Sequence, residues 1–206
     1  AKAECIPRPA RTVSFMSDPR NSQELLDFAA RLVESAKREG ADAADAVVVR
    51  GKSVSVSVRL GKVEDTEASE SDDFSLRVFV GSRVASISAS AGSDPQALAA
   101  RAVGMAKVAP EDPYQSLADP EQLARSPRDL DLFDATEVSS AALTQAALAQ
   151  EAAALAVAGI TNSGGSSASF GYGGIVLVTS QGFCGHYLVS RFGRGVSVIA
   201  GEGTKM

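Results

Sequence analysis

One histidine, His186, stands two residues after Cys184 in a glycine-flanked run, FCGHYL. Imidazole and thiolate are the usual zinc ligands, so this pair is the first place to look for metal chemistry. A zinc-protease helix needs two histidines four residues apart, with a glutamate base between them. A chain with a single histidine cannot supply that arrangement. Cys184 and His186 offer two ligands, with no third or fourth partner evident, and read instead as a half-exposed pair in a strand. A Ser-His-Asp triad through His186 would need its serine on a sharp strand-to-helix elbow, and no G-x-S-x-G occurs. The acidic set from Glu64 to Asp73 lacks the D-x-[DN]-x-[DN]-G pattern of a calcium loop. Gly171–Gly174 and Gly159–Gly165 are glycine-rich but have neither the G-x-G-x-x-G nor the G-x-x-x-x-G-K-[ST] spacing that opens a helix onto phosphates. They read as hairpin turns. No catalytic, cofactor-binding or metal-binding residue is assigned to this chain.

Composition narrows the function further. The chain has 206 residues, is 45% hydrophobic and carries a formal net charge of −5. That length and apolar content can bury a core of one large or two small domains. No basic cluster with interleaved aromatics is present, so direct nucleic-acid binding is not expected. Two cysteines far apart in sequence, Cys5 and Cys184, make no disulfide framework and fit a reducing compartment. No apolar run reaches transmembrane length, and the N-terminus lacks the apolar core of a secretory signal. Residues 1–20 read as a flexible tail. Met16 is a candidate natural start, which leaves residues 1–15 of uncertain origin.

The elements that would position any site follow a helix, meander, helix order. Asn21 with Glu24 forms a capping-box signature, Leu25 to Ala36 keeps helical spacing, and Gly40 is the stop. A strand over Ala46–Arg50 and a turn at Gly51-Lys52 lead into an antiparallel meander. Val54, Val56 and Val58 alternate over Ser53–Leu60, and Phe74, Leu76, Val78 and Val80 alternate in the third strand. Gly81-Ser82 fits a two-residue hairpin turn, which pairs Val78 with Ala85, Leu76 with Ile87 and Phe74 with Ala89. The strand between them, Lys62–Ser69, is nearly all polar and reads as a solvated edge strand kept from aggregation by charge, or as a ligand-facing one. Asp94 caps a second helix with Pro95 at its first position, and Leu98, Ala102, Met105 and Ala106 form its apolar stripe.

Pro110–Asp134 is proline-rich and charged, and reads as a crossing segment with one short helix capped by Asp119. An alanine-rich helix from Ser139 or Ser140 to about Ala158 follows, stopped by Gly159. Four short β-runs (167–172, 174–180, 183–190 and 196–200) predict a second antiparallel sheet, and the abrupt end GEGTKM reads as a truncation. The expected class is α+β, with helices packed on antiparallel meander sheets in two modules, 21–115 and 116–206.

Taken together and in order, FSLRVFVGSRVASISAS, APEDPYQSLADPEQLA, ITNSGGSSASFG and TSQGFCGHYLVSRFGRGVSVIAG resemble the N-terminal half of the TldD/PmbA family, nearest its PmbA (TldE) branch. The resemblance covers about Asn21 to Met206. It implies a cytoplasmic protein, part of a zinc metalloprotease in which TldD-type and TldE-type subunits pair and cleave unfolded peptides. That family is linked to maturation of a gyrase-targeting peptide antibiotic and to antitoxin degradation. The zinc ligands belong to the TldD-type partner, in a half absent here, so none is carried onto this sequence. The resemblance implies a non-catalytic portion, inactive alone, with the TldD-type subunit and unfolded peptide as partners and a homodimer as a further assembly. The alternative is a regulatory protein that binds gyrase or a toxin–antitoxin pair without proteolysis.

Overall fold

The computed structural model describes residues 22–90, 93–124 and 128–203. The expected cap Asn21, the N-terminal tail with Cys5 and Met16, and the final residues of GEGTKM lie outside them. In chain order the elements are α1 (Ser22–Arg38), β1 (Ala43–Arg59), β2 (Lys62–Val80), β3 (Arg83–Ser90), α2 (Pro95–Val108), α3 (Ser140–Leu155), β4 (Ile160–Thr179) and β5 (Cys184–Ala200). A 3-10 turn, Pro120–Gln122, interrupts the crossing segment, and Asp119 makes no side-chain cap to it. The class is α+β, with three α-helices and one antiparallel sheet, ordered β3-β2-β1-β4-β5, among the described residues.

Among the described residues the expected second sheet does not form, because the strands are fewer and longer than their glycines suggest. Gly51, Gly171, Gly193 and Gly195 are extended members of β1, β4 and β5. Hairpin turns of the two-residue kind need positive φ, and none of these four has it. The turn expected at Gly51-Lys52 is therefore absent. The hairpin expected at Gly81-Ser82 does form, with Phe74 opposite Ala89, Leu76 opposite Ile87 and Val78 opposite Ala85.

Two compact units are built from interleaved stretches of chain. The first takes the described residues up to Arg50, Ser71–Leu130 and Gly173–Leu188. Its core joins Leu25, Phe28, Leu32 and Val33 of α1 to Ala46 and Val48 of β1, Phe74, Leu76 and Val78 of β2, and Val176 and Val178 of β4. The i, i+2 spacing in the strands and the i, i+3, i+4 spacing in α1 put these groups on one face each. Each large aliphatic or aromatic side chain fully removed from water here contributes about 1.5–3 kcal/mol. Phe28 and Phe74 meet edge to face with centroids 5.1 Å apart. Helix α2 packs against α1 and β3. Asp94 caps it through the Gln96 and Ala97 N–H groups, with Pro95 in the first turn as expected. Its buried face is Ala99, Ala102, Val103 and Ala106, whereas Met105 faces water. Two close-packing neighbours leave room only for small groups on that stripe, so alanine and valine take it rather than methionine.

The second unit takes Gly51–Glu70, Asp131–Tyr172 and the chain from Val189. Leu143 and Ala147 of α3 pack on Val56 and Val58 of β1 and on Ala168 and Phe170 of β4. The Ser139 hydroxyl accepts from the Ala142 N–H at 3.2 Å and starts α3. Phe170 and Phe192 lie 5.2 Å apart, and Phe133 meets Tyr172 at 6.2 Å. No helix among the described residues is long and apolar enough to cross a membrane.

Candidate functional site

The β1–β2 hairpin carries the polar strand noted in the sequence. Its loop is Leu60-Gly61, with φ of +49° and +74°. Two successive positive φ values are the signature of a turn whose twist matches that of the flanking strands. Glycine takes this geometry without cost, whereas leucine is held there against its preference. Something must over-determine the turn, and that group is Glu151 of α3.

Glu151 is 1% exposed, and both carboxylate oxygens are used. Oε1 accepts from the Leu60 N–H at 2.9 Å and Oε2 from the Gly61 N–H at 2.8 Å. The hydroxyl of Ser163, itself fully buried, donates to Oε1 as well. Ser163 Oγ in turn accepts from the Gly165 N–H at 3.0 Å, and Arg59 Nε donates to the Ser163 carbonyl at 3.2 Å. The Ser163 hydrogen bond and then the Gly61 N–H hold the Glu151 carboxyl below its usual range, against the opposing effect of burial. This is a buried carboxylate clasping the tip of a hairpin. Nothing in the sequence flagged it. Glu151 sits inside an alanine-rich helix where a lone glutamate reads as a solvated residue, and the two backbone N–H groups it accepts from are 91 and 90 positions away.

Beyond the tip, every residue of β2 from Lys62 to Ser71 is exposed. β3 pairs with β2 only from Asp73 to Val80. The Lys62–Glu70 stretch therefore pairs through β1 on one side and, among the described residues, leaves its other backbone edge open. Of the two readings of this strand, solvated edge and ligand-facing strand, the geometry satisfies both. Glu70 is tied to Lys52 at 2.9 Å, and that contact raises the Lys52 pKa.

The remaining sequence candidates do not converge. His186 is exposed on β5, and Cys184 is half-buried against the core of the first unit. Among the described residues no three His, Cys, Asp or Glu side chains are grouped to hold a metal ion. The donor set thus does not fit zinc, and no step is assigned to a metal here. Asp72, at the base of β2, serves a structural ion pair: Arg50, almost fully buried, reaches it at 2.5 Å and Glu24 of α1 at 3.5 Å. Asp45 likewise takes the Arg77 guanidinium in a bidentate pair.

Comparison with known proteins gives a consistent picture. Residues 44–106 match the first domain, and residues 133–206 the central domain, of the PmbA/TldA metallopeptidases. The metalloprotease PmbA of Escherichia coli O157:H7 is 32% identical over 201 residues, which is 96% of this chain and 44% of that protein. The metalloprotease PmbA homolog of Haemophilus influenzae is 33% identical over 182 residues, covering 87% of this chain and 40% of its own length. The chain thus spans less than half the length of these curated relatives. A crystal structure of a candidate modulator of DNA gyrase from Bacteroides thetaiotaomicron superposes with a TM-score of 0.78 at 22% identity, over 89% of this chain and 42% of that one. TldE from Thermococcus kodakarensis superposes at 0.71 with 16% identity, over 85% and 40%. At those identities the structures speak for the fold.

Proposed function

The chain belongs to the PmbA/TldD family, and from that premise we propose that it is the N-terminal, non-catalytic portion of a PmbA/TldE-type subunit in a zinc metalloprotease that processes unfolded peptides. In this reading the metal sits in a TldD-type partner, and this portion holds and orients the peptide. It contributes no catalytic or metal-binding residue, and the complex works in the cytoplasm. The division of the sequence into two modules, 21–115 and 116–206, is part of this proposal.

The observation that carries the proposal is the open backbone edge of β2 from Lys62 to Glu70. An unfolded peptide added there as a further strand would be read through its main chain, which suits a protease acting on many sequences. The 17-residue β1, pinned at its tip by Glu151, gives that edge a firm backing.

The test combines a full-length subunit of this type, a TldD-type partner and a disordered peptide, with and without chelator. Chelator-sensitive cleavage that requires both subunits is the expected result. Metal-dependent cleavage by this chain alone, or a complex that cleaves equally well without it, overturns the proposal. The regulatory alternative expects binding without cleavage, and the same assay separates the two.

A further inference from the structure

We propose that the open edge of β2 selects extended peptides rich in lysine and arginine, so that this portion of the subunit biases the complex toward basic substrates. The inference rests on the peptide-holding reading above and adds the substrate class. Lys62–Glu70 carries four carboxylates, Glu64, Asp65, Glu67 and Glu70, against the single ammonium of Lys62. Glu70 is engaged by Lys52. Among the described residues Glu64, Asp65 and Glu67 make no ion pair, and all three are exposed. Successive side chains of a strand point to opposite faces, so Asp65 and Glu67 lie on one face and Glu64 on the other. A peptide added edge to edge also alternates. Lysine or arginine at either parity would then stand beside an uncompensated carboxylate, at the directly opposite or diagonal spacing where cross-strand charge pairs act. A glutamate-rich peptide would meet like charge at the same positions.

The probes are three labelled nonapeptides of equal β-propensity, bearing lysine, glutamine or glutamate at alternate positions, titrated against this chain by fluorescence anisotropy. A fourth is the lysine peptide with every backbone nitrogen methylated, which removes the donors of both strand edges. The lysine peptide is expected to bind about tenfold more tightly than the glutamine one. That preference should shrink as salt shortens the Debye length, and should vanish in the Glu64→Gln, Asp65→Asn, Glu67→Gln variant. Backbone methylation should abolish binding of the lysine peptide. If the lysine, glutamine and glutamate peptides bind alike while methylation still abolishes binding, the charge selection is overturned and the strand-addition reading stands. If the methylated peptide binds as well as its parent, strand addition itself is overturned.

Discussion

Glu151 Oε2 accepts the Gly61 N–H at 2.8 Å, so a helix in the second half of the chain fixes the hairpin tip in the first. The hairpin turn is satisfied by a carboxylate rather than by water, and that carboxylate is shared with a buried serine. Replacing Glu151 with glutamine puts an amide N–H₂ where one of these acceptors stands, facing a donor. Glu151→Gln should lower the melting temperature at neutral pH by several degrees and speed amide exchange at Leu60 and Gly61. The folded pKa of Glu151 is lowered, chiefly by the Ser163 hydroxyl. Its contribution is therefore present above the usual glutamate pKa and lost as pH falls through the lower folded value. The gap in melting temperature between wild type and Glu151→Gln should close on acidification below that range. A gap that stays constant down to strongly acid pH would contradict the assignment.

Leu60 occupies a left-handed conformation that leucine disfavours, with φ of +49°. Asparagine tolerates that region and is the preferred residue in such turns. Leu60 is also largely exposed, so little packing is lost. Leu60→Asn should stabilise the chain by roughly 1 kcal/mol, read as a higher urea midpoint at unchanged slope.

Arg50 is buried between Asp72 and Glu24. Removing the cation alone leaves two carboxylates facing a poorly solvated space, so Arg50→Met should cost about 3 kcal/mol. Adding Asp72→Asn should restore part of that loss, because the stranded charge goes with it. Equilibrium denaturation of the single and double variants measures the coupling.

Two glycines of the long strands should answer differently to alanine. A Cβ on Gly171 would lie 3.0 Å from the Lys52 carbonyl oxygen and 3.0 Å from Ser53 Cβ, groups that move only with the backbone. On Gly193 it would meet the Ser169 hydroxyl, which can rotate away. Gly171→Ala should destabilise by about 1–3 kcal/mol, and Gly193→Ala by clearly less. Equal costs in thermal melts would refute the close-approach account of Gly171.

Much local chemistry was legible in the sequence where the deciding partners are near in the chain, although Asp119 makes no cap to its 3-10 turn. Asp94 with Pro95, Ser139 at the head of α3, and the Gly81-Ser82 hairpin with its register are settled by neighbours within a few residues. The scarcity of imidazole and the acidic character of Lys62–Glu70 are likewise matters of composition. Tertiary structure decided what depends on distant partners. Gly51 and Gly171 read as turns alone, yet run extended as members of long strands hydrogen-bonded into one sheet. Val103 rather than Met105 faces the core because α2 meets both α1 and β3. Glu151 became a clasp only when folding brought Leu60 and Gly61 to it. The Asp94 and Ser139 caps and the Gly81-Ser82 turn are short-range hydrogen-bond problems that a few residues solve among themselves. Strand length, edge exposure and the partner of a buried charge depend on which remote segments share a sheet, and no local pattern encodes that.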